Sequence, residues 1–491
     1  MPSQRWRSLS KIKWPLIGVV VIGLGILLGY LICSPEMNGL TISILVISAV
    51  LLIIVNNPLD GILIWLIFAS FIEIWINIPM GAGIPDLTFS RFIIVFVAIF
   101  MLARAATGKF QFARIGLTEV CIVAATIGIM MSAPLSVNPR GTIQTSITLR
   151  FAPLAMYFFT KNLVRNKEDL HRLLLAGVIF GSAAALYAIY EHTTGNILFL
   201  PENVSASDLW VEYSEHLRIL RGLLGRSSNF ARVLTSSIPI TFYLFFEKRS
   251  IARKITLVGM LAIQAYGLFL TYNRTSWYAL LISLFIIQFF YPRFRKVFFF
   301  IVFAVAIVLW ATWEQIDESA VVNERVRSEV STLEGREVRW EAGYNMWRAK
   351  PIRGWGFDQY QRESWRFRTD GGQGNIYAIE NDYLHLLVAS GLIGFLPYLL
   401  FILTPLVNSL RLSFKARRPD WSGFIKPETL TIYWGTILSF IIGSFTQIQT
   451  QPIVLMLPFA LAGAVVGTHE HWLRGPKAKK GLSRPESTQD G

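Results

Sequence analysis

The chain has 491 residues, 53% hydrophobic and only 16% charged, with a formal net charge of +15 and a mean hydropathy of +0.48. A soluble chain of this size carries about a quarter charged residues, whereas here apolar runs near 20 residues, long enough for ~30 Å of hydrocarbon, recur throughout. A soluble globular protein is excluded, and an all-α polytopic membrane protein is expected.

Taken from the start, the basic stretch MPSQRWRSLSKIKW enters an apolar segment with no small-residue cleavage pattern before Pro35, so it reads as an anchor and not a cleaved leader. Hydropathy predicts about fourteen spans (12–14), near 15–33, 39–56, 60–78, 90–104, 115–133, 143–160, 172–190, 231–247, 255–271, 275–292, 297–313, 382–406, 428–447 and 452–468. The span at 90–104 is short, and the one at 143–160 carries an internal Arg150. Cys33 and Cys121 fall in apolar segments and read as small buried hydrophobes, with no disulfide or metal site implied.

With the N-terminus inside, the short inner segments collect most of the Lys and Arg, and both termini come out cytoplasmic. The cations left on the outer side are arginine, Lys350 excepted. Arginine's planar fork suits phosphate and carboxylate oxygens; outer arginines also pair with the loops' own acids, and both readings stand. The organisation is then N-terminal helices over 1–190, a first large extracytoplasmic loop over 191–230, helices over 231–313, a second large loop over 314–380, C-terminal helices over 381–472 and a disordered basic tail over 473–491. Loops this long are functional or disordered. In the second, Val338, Ala342, Met346 and Trp347 fall on one face of an amphipathic helix that ends at Pro351, after which Gly354 and Gly356 turn the chain.

Polar groups at a membrane boundary are costly unless satisfied and are therefore functional candidates. Glu380, Asn381 and Asp382 are expected at the outer mouth of the span at 382–406, with His385 about one turn below. Arg274 is expected at an outer hairpin, Arg221 and Arg226 just before the span at 231–247, and Arg339 on the loop helix. Plainer roles exist for each: Asn381 or Asp382 as a helix cap, His385 as a packed histidine, Arg274 as a capping or snorkelling residue. Arg226 and Arg232 read as structural. Glu380 precedes the helix, so capping accounts for it less well. No metal-ligand cluster, Gly-rich phosphate loop or nucleophile elbow occurs in the sequence.

Four stretches resemble the O-antigen ligase / O-antigen polymerase superfamily of bacterial inner-membrane glycosyltransferases. RGLLGRSSNFA (221–231) looks like the family's R-x-G…N-x-N-x-x-A segment, and LTYNRTSWYALL (270–281) like its "S-R" hairpin, with Asn273 where Ser is usual. VRWEAGYNMWRAKPIRGWGFDQY (338–360) resembles its R-x-x-x-W…P-x-x-G-x-G loop, and ENDYLHLLVASGLIG (380–394) its H-N-x-x-L…G-x-x-G segment, with Glu380 in place of the opening His.

The resemblance implies an integral-membrane glycosyltransferase fold acting on the extracytoplasmic face of the bacterial cytoplasmic membrane. The donor would be a polyprenyl-diphosphate-linked glycan and the acceptor a sugar hydroxyl on a growing glycan or a lipid. Membrane lipids and other polysaccharide-assembly proteins are the implied neighbours; no cofactor, metal or nucleic acid is implied. Glu380, Arg274 and Arg339 would be catalytic. Arg221, Arg226, Asn229, Trp340, Asn381 and His385 would bind diphosphate or glycan. The Glu-for-His difference favours a polymerase over a ligase. A flippase of lipid-linked glycan is the further alternative, disfavoured because polar residues gather at one face and no paired broken helices are legible.

Overall fold

A computed structural model describes residues 49–73, 77–78, 87–197, 212–214, 217–218, 220, 224–247, 250–292, 294–296, 298–299, 302–303, 307, 320–357, 359–371, 379–417, 421, 423–448 and 451–474. The expected spans at 15–33 and most of 39–56 and 297–313, much of both large loops, Arg221 and the basic tail lie outside these residues.

The described chain is helical apart from two short antiparallel ladders, β1 (Asn77–Ile78) with β2 (Leu87–Thr88) and β3 (Glu212–Ser214) with β4 (Leu217–Arg218). Its helices are α1 (Pro58–Ile72), α2 (Phe89–Ala106), α3 (Leu117–Met131), α4 (Pro139–Ser146), α5 (Ala152–Leu163), α6 (Lys167–Thr194), α7 (Ser227–Glu247), α8 (Ile251–Leu270), α9 (Arg274–Phe290), α10 (Ala320–Ala349), α11 (Gln359–Glu363), α12 (Asp382–Ala416), α13 (Pro427–Thr446) and α14 (Ile453–Arg474). A five-residue π-helical turn, Ile147–Phe151, joins α4 to α5.

The expected count of fourteen is not reached among the described residues. Among the described residues six helical segments are long and apolar enough to cross a membrane, at Phe89–Ala106, Leu117–Leu135, Lys167–Thr194, Ile251–Leu270, Asp382–Ala416 and Pro427–Thr446, with shorter apolar helices at Pro58–Ile72, Arg274–Phe290 and Ile453–Thr468. The protein is a multi-pass helical membrane protein. Two of the expected spans depart from plain apolar helices for local reasons. The segment at 143–160 is divided by the π turn at Arg150, and α7 is lined with buried Ser228, Asn229, Arg232, Thr235, Ser236, Ser237 and Thr241, which make it a polar helix of the bundle interior.

Local signals set the ends. Asn57 caps α1 by accepting from Leu59 N, with Pro58 at the first helical position. Asn166 caps α6 (2.8 Å from Asp169 N), which ends on left-handed Gly195, φ 82°. Large apolar side chains left exposed on α2, α3, α8 and α12 face the hydrocarbon, where water-soluble folds would bury them. Inside, polar side chains satisfy one another: Gln264 joins Thr241 (2.9 Å) and Ser182 (3.0 Å), and Ser283 meets Ser439 (2.8 Å). Away from the candidate site, Lys161 and Tyr157 both donate to Glu119 (2.7 and 2.8 Å), and Lys161 also donates to the Arg114 carbonyl (2.7 Å). This network ties the 107–116 connection to the bundle.

Candidate active site

The polar residues at 380–382 divide into two clusters. Asn381 is the helix cap: its Oδ1 accepts from Leu384 N at 3.0 Å and its own φ/ψ is extended. Asp382 is therefore free of the capping task, and it is buried to 1% exposure beneath it. Arg150, from the π-helical turn, reaches it in a bidentate pair, Nη2 to Oδ1 at 3.0 Å and Nη1 to Oδ2 at 3.1 Å; the same Nη1 donates to Tyr398 Oη at 3.0 Å. A lone arginine in an apolar span needs a buried partner, and Asp382 is that partner.

This contact redraws the helix that hydropathy reads as one span. In an unbroken helix Asp382 and Tyr398 would stand about 24 Å apart, yet one nitrogen of Arg150 touches both. The chain breaks at Gly391, φ 60° and ψ −163°, and the 382–390 segment turns by about a right angle or more from the 392–416 segment. Glu380 and Asn381 thus mark the start of a short bent-back helix. Among the described residues α12 is the one helix with a non-helical residue inside it.

Breaking a helix orphans backbone groups, and the loop after α10 satisfies them. Trp355 N donates to Val388 O and Gly356 N to Ala389 O, both at 2.9 Å, while Leu392 N and Ile393 N donate to Pro351 O (2.9 Å) and Ile352 O (3.2 Å). Gly354 (φ 70°) and Gly356 (φ 97°) turn the chain as the sequence predicts. A Cβ at Gly354 would lie 2.6 Å from Ala389 O and Gly391 N, so the approach itself requires glycine.

The loop helix α10 lies alongside 382–390 through Ala342, Met346, Ile379 and Val388, with Val338, Trp340, Trp347 and Leu384 at the edge. The expected amphipathic face at 338, 342, 346 and 347 is borne out. It carries Arg336 and Arg339 to Glu380, Arg336 Nε at 3.1 Å from Oε2 and Arg339 Nη1 at 3.4 Å from Oε1. Glu380 is a non-glycine residue in the left-handed region, φ 53°, a conformation that costs free energy and collects at functional sites. Arg339 is held in turn by its Nε–H to Gly335 O (2.7 Å), and its carbonyl accepts from Tyr360 Oη (2.8 Å). Burial pushes the Tyr360 phenol up, so it stays a donor at any physiological pH.

The other candidates fall around this pair. Arg274 opens α9 behind its Asn273 cap (Ser276 N to Oδ1, 3.0 Å), after Tyr272, also left-handed at φ 50°. The Ser283–Ser439 bond and the closeness of Ile287 to Gly435 align α9 antiparallel to α13. Arg274 therefore lies at the same end of the bundle as Tyr383, which packs on Phe445 at 4.8 Å, but it does not touch Glu380. Arg232 donates to the carbonyls of Gly443 and Gln447 (2.9 Å to the latter) and closes the end of α13, the structural role expected of it. Asn229 donates to Leu224 O (2.6 Å), pinning the turn into α7, and Arg226 is an exposed residue at that helix start. His385 packs edge-on to Phe357, the ring centroids 5.6 Å apart. Trp340 is half-buried on α10, with its Nε1 buried and lacking an acceptor among the described residues. Among those residues no group of three or more His, Cys, Asp or Glu is placed to hold a metal.

Two participants lie beyond the sequence reading. Arg336 had a signal: it stands four residues before Trp340, which is the R-x-x-x-W spacing itself. Arg150 had one too, as an unpaired charge in an apolar run, but nothing in the sequence names Asp382 as its partner.

The fold and site define a multi-pass helical membrane protein in which a loop carboxylate, held by two arginines, caps a buried ion-paired layer. Residues 259–399 match the family described as O-antigen ligase. The match takes in Arg274, Arg336, Arg339, Glu380, Asp382 and the Gly391 break, and with them three of the four resembling stretches; the one at 221–231 lies outside it. No curated protein matches the chain.

Proposed function

We propose that this protein transfers a glycan from a polyprenyl-diphosphate carrier to an acceptor sugar hydroxyl, in a polymerase-type step of surface-polysaccharide assembly on the extracytoplasmic face. The observation that carries the proposal is the placement of Glu380 between Arg336 and Arg339, within the segment that matches the family. Glu380 takes the proton of the acceptor hydroxyl. The hydroxyl oxygen bonds to the anomeric carbon as the bond from that carbon to the diphosphate oxygen breaks, and the centre inverts. Negative charge grows on the leaving diphosphate, and preorganised guanidinium forks stabilise it. Arg336 and Arg339 supply those forks, with Arg274 and Arg221 as further ligands and Trp340, Asn381, Asn229, Arg226 and His385 shaping the surroundings. The arriving diphosphate competes with Glu380 for the two α10 arginines, so donor binding releases the carboxylate for its task.

The test is the surface-glycan profile of cells carrying Glu380→Ala, Glu380→His or Arg274→Ala beside wild type and deletion. Precursor with a single repeat should accumulate in the deletion and both alanine variants, and His should restore long chains. Unchanged profiles at wild-type protein levels would overturn the assignment. A second reading, attachment of finished glycan to a lipid or protein, is favoured by the description of the matching family; it predicts that loss of the protein leaves long chains on their carrier.

A further inference from the structure

We infer that the edge formed by Arg348, Lys350 and Arg353 is a docking site for the phosphate headgroups of acidic phospholipids in the surrounding leaflet. This inference does not rest on the glycan-transfer reading.

The depth of this edge follows from the exposed face of α12. Leu392, Leu396, Leu400, Leu403, Val407, Leu410 and Phe414 are 39–71% exposed and recur every three or four residues, one continuous apolar stripe. From Leu392 to Phe414 the rise is about 33 Å, close to the ~30 Å of a hydrocarbon core. Arg411, Lys415 and Arg417 stand at the far end of the stripe, so Leu392 marks the opposite boundary.

At that boundary Leu392 N and Ile393 N bond to Pro351 O and Ile352 O, which pins the loop to headgroup depth. Ile352 is 62% exposed and continues the apolar stripe outward from Leu392. Arg348, Lys350 and Arg353 flank it and are all exposed. None of the three has an acidic partner among the described residues. Lys350 lies over the Trp355 ring (3.8 Å) and Arg348 over Tyr344 (5.9 Å), contacts that orient each cation without neutralising it. Tyr344, Trp347 and Trp355 add the amphipathic rings typical of the membrane interface. A soluble anionic partner would match the charges but would leave Ile352 and the Leu392 stripe uncovered. A lipid covers both, with acyl chains along α12 and its phosphate among the cations.

The experiment uses the full chain, purified and placed in nanodiscs of equal phosphatidylglycerol and phosphatidylcholine. The lipid retained after detergent extraction is measured by mass spectrometry. Wild type should enrich phosphatidylglycerol, and Arg348→Gln/Lys350→Gln/Arg353→Gln should reduce that enrichment at least about fivefold. The control Arg362→Gln/Arg366→Gln, on the same loop, should not change it, and single Arg353→Gln serves if the triple variant fails to elute as a folded species. No enrichment in wild type, or enrichment in the folded variant equal to that of wild type, overturns the proposal. Full displacement by millimolar inorganic phosphate overturns it also, because the site would then belong to a soluble anion.

Discussion

Glu380 and Asp382 are two carboxylates two residues apart, and the fold treats them oppositely. Asp382 is 1% exposed and locked bidentately by Arg150, which Tyr398 also engages. Glu380 is about one-third exposed, held in a strained left-handed conformation by arginines that keep their own side chains 24–25% exposed. A buried pair cannot exchange partners without leaving a bare charge in low dielectric, whereas a wet pair exchanges partners at little cost. The two positions therefore suit different work, Asp382 to hold the bent-back helix in place and Glu380 to meet a ligand. Asn381 separates them and caps the helix.

The comparison is broken most directly at the buried pair. Arg150→Ala or Asp382→Ala should lower stability by about 3–5 kcal/mol, read as a drop in thermal midpoint of the detergent-purified protein. The double variant Arg150→Met/Asp382→Leu should recover much of that loss, since a paired apolar replacement leaves no buried charge; a double as unstable as the singles would show that the pair is not an isolated unit. Next comes the break itself. Gly391→Ala places a side chain at φ 60° against the Ile352 carbonyl, and about 1–3 kcal/mol is expected from the conformation alone, on the same thermal assay. Asn381→Ala, which removes a helix cap, should cost about 1 kcal/mol. The smallest stability effect belongs to Glu380→Ala or Arg336→Ala, at most about 1 kcal/mol, although under the proposed function Glu380→Ala has the largest effect on glycan product. A Glu380→Ala protein as unstable as Asp382→Ala would make Glu380 structural and erase the contrast.

Much of this architecture was legible residue by residue. Long apolar runs can only be helices where no water is available to satisfy the backbone, so helical membrane character followed from composition. The α10 face at Val338, Ala342 and Met346 followed from a period of 3.6, and the turns at Gly354 and Gly356 from the need for a left-handed backbone after Pro351. Asn381 fits a cap because its short side chain reaches the amide three residues on; the sequence left Asp382 as an equal candidate, and only the structure assigned the cap to Asn381.

The interruptions within spans were not legible, because a hydropathy window averages over a π turn at Arg150 and a break at Gly391 that leave composition unchanged. Nor was the partner of Arg150. Pairing across 232 positions of chain depends on which helices pack together, a property of the whole bundle and not of any window. Arg336 lay between these limits: its spacing from Trp340 was visible, but choosing it alongside Arg339 required seeing which face of α10 the Ile379–Val388 contact turns toward Glu380. Local backbone chemistry is written in neighbours along the chain, and the sequence alone determined it. The bent-back helix and its two differently housed carboxylates are written in distant segments brought together, and only tertiary packing decided them.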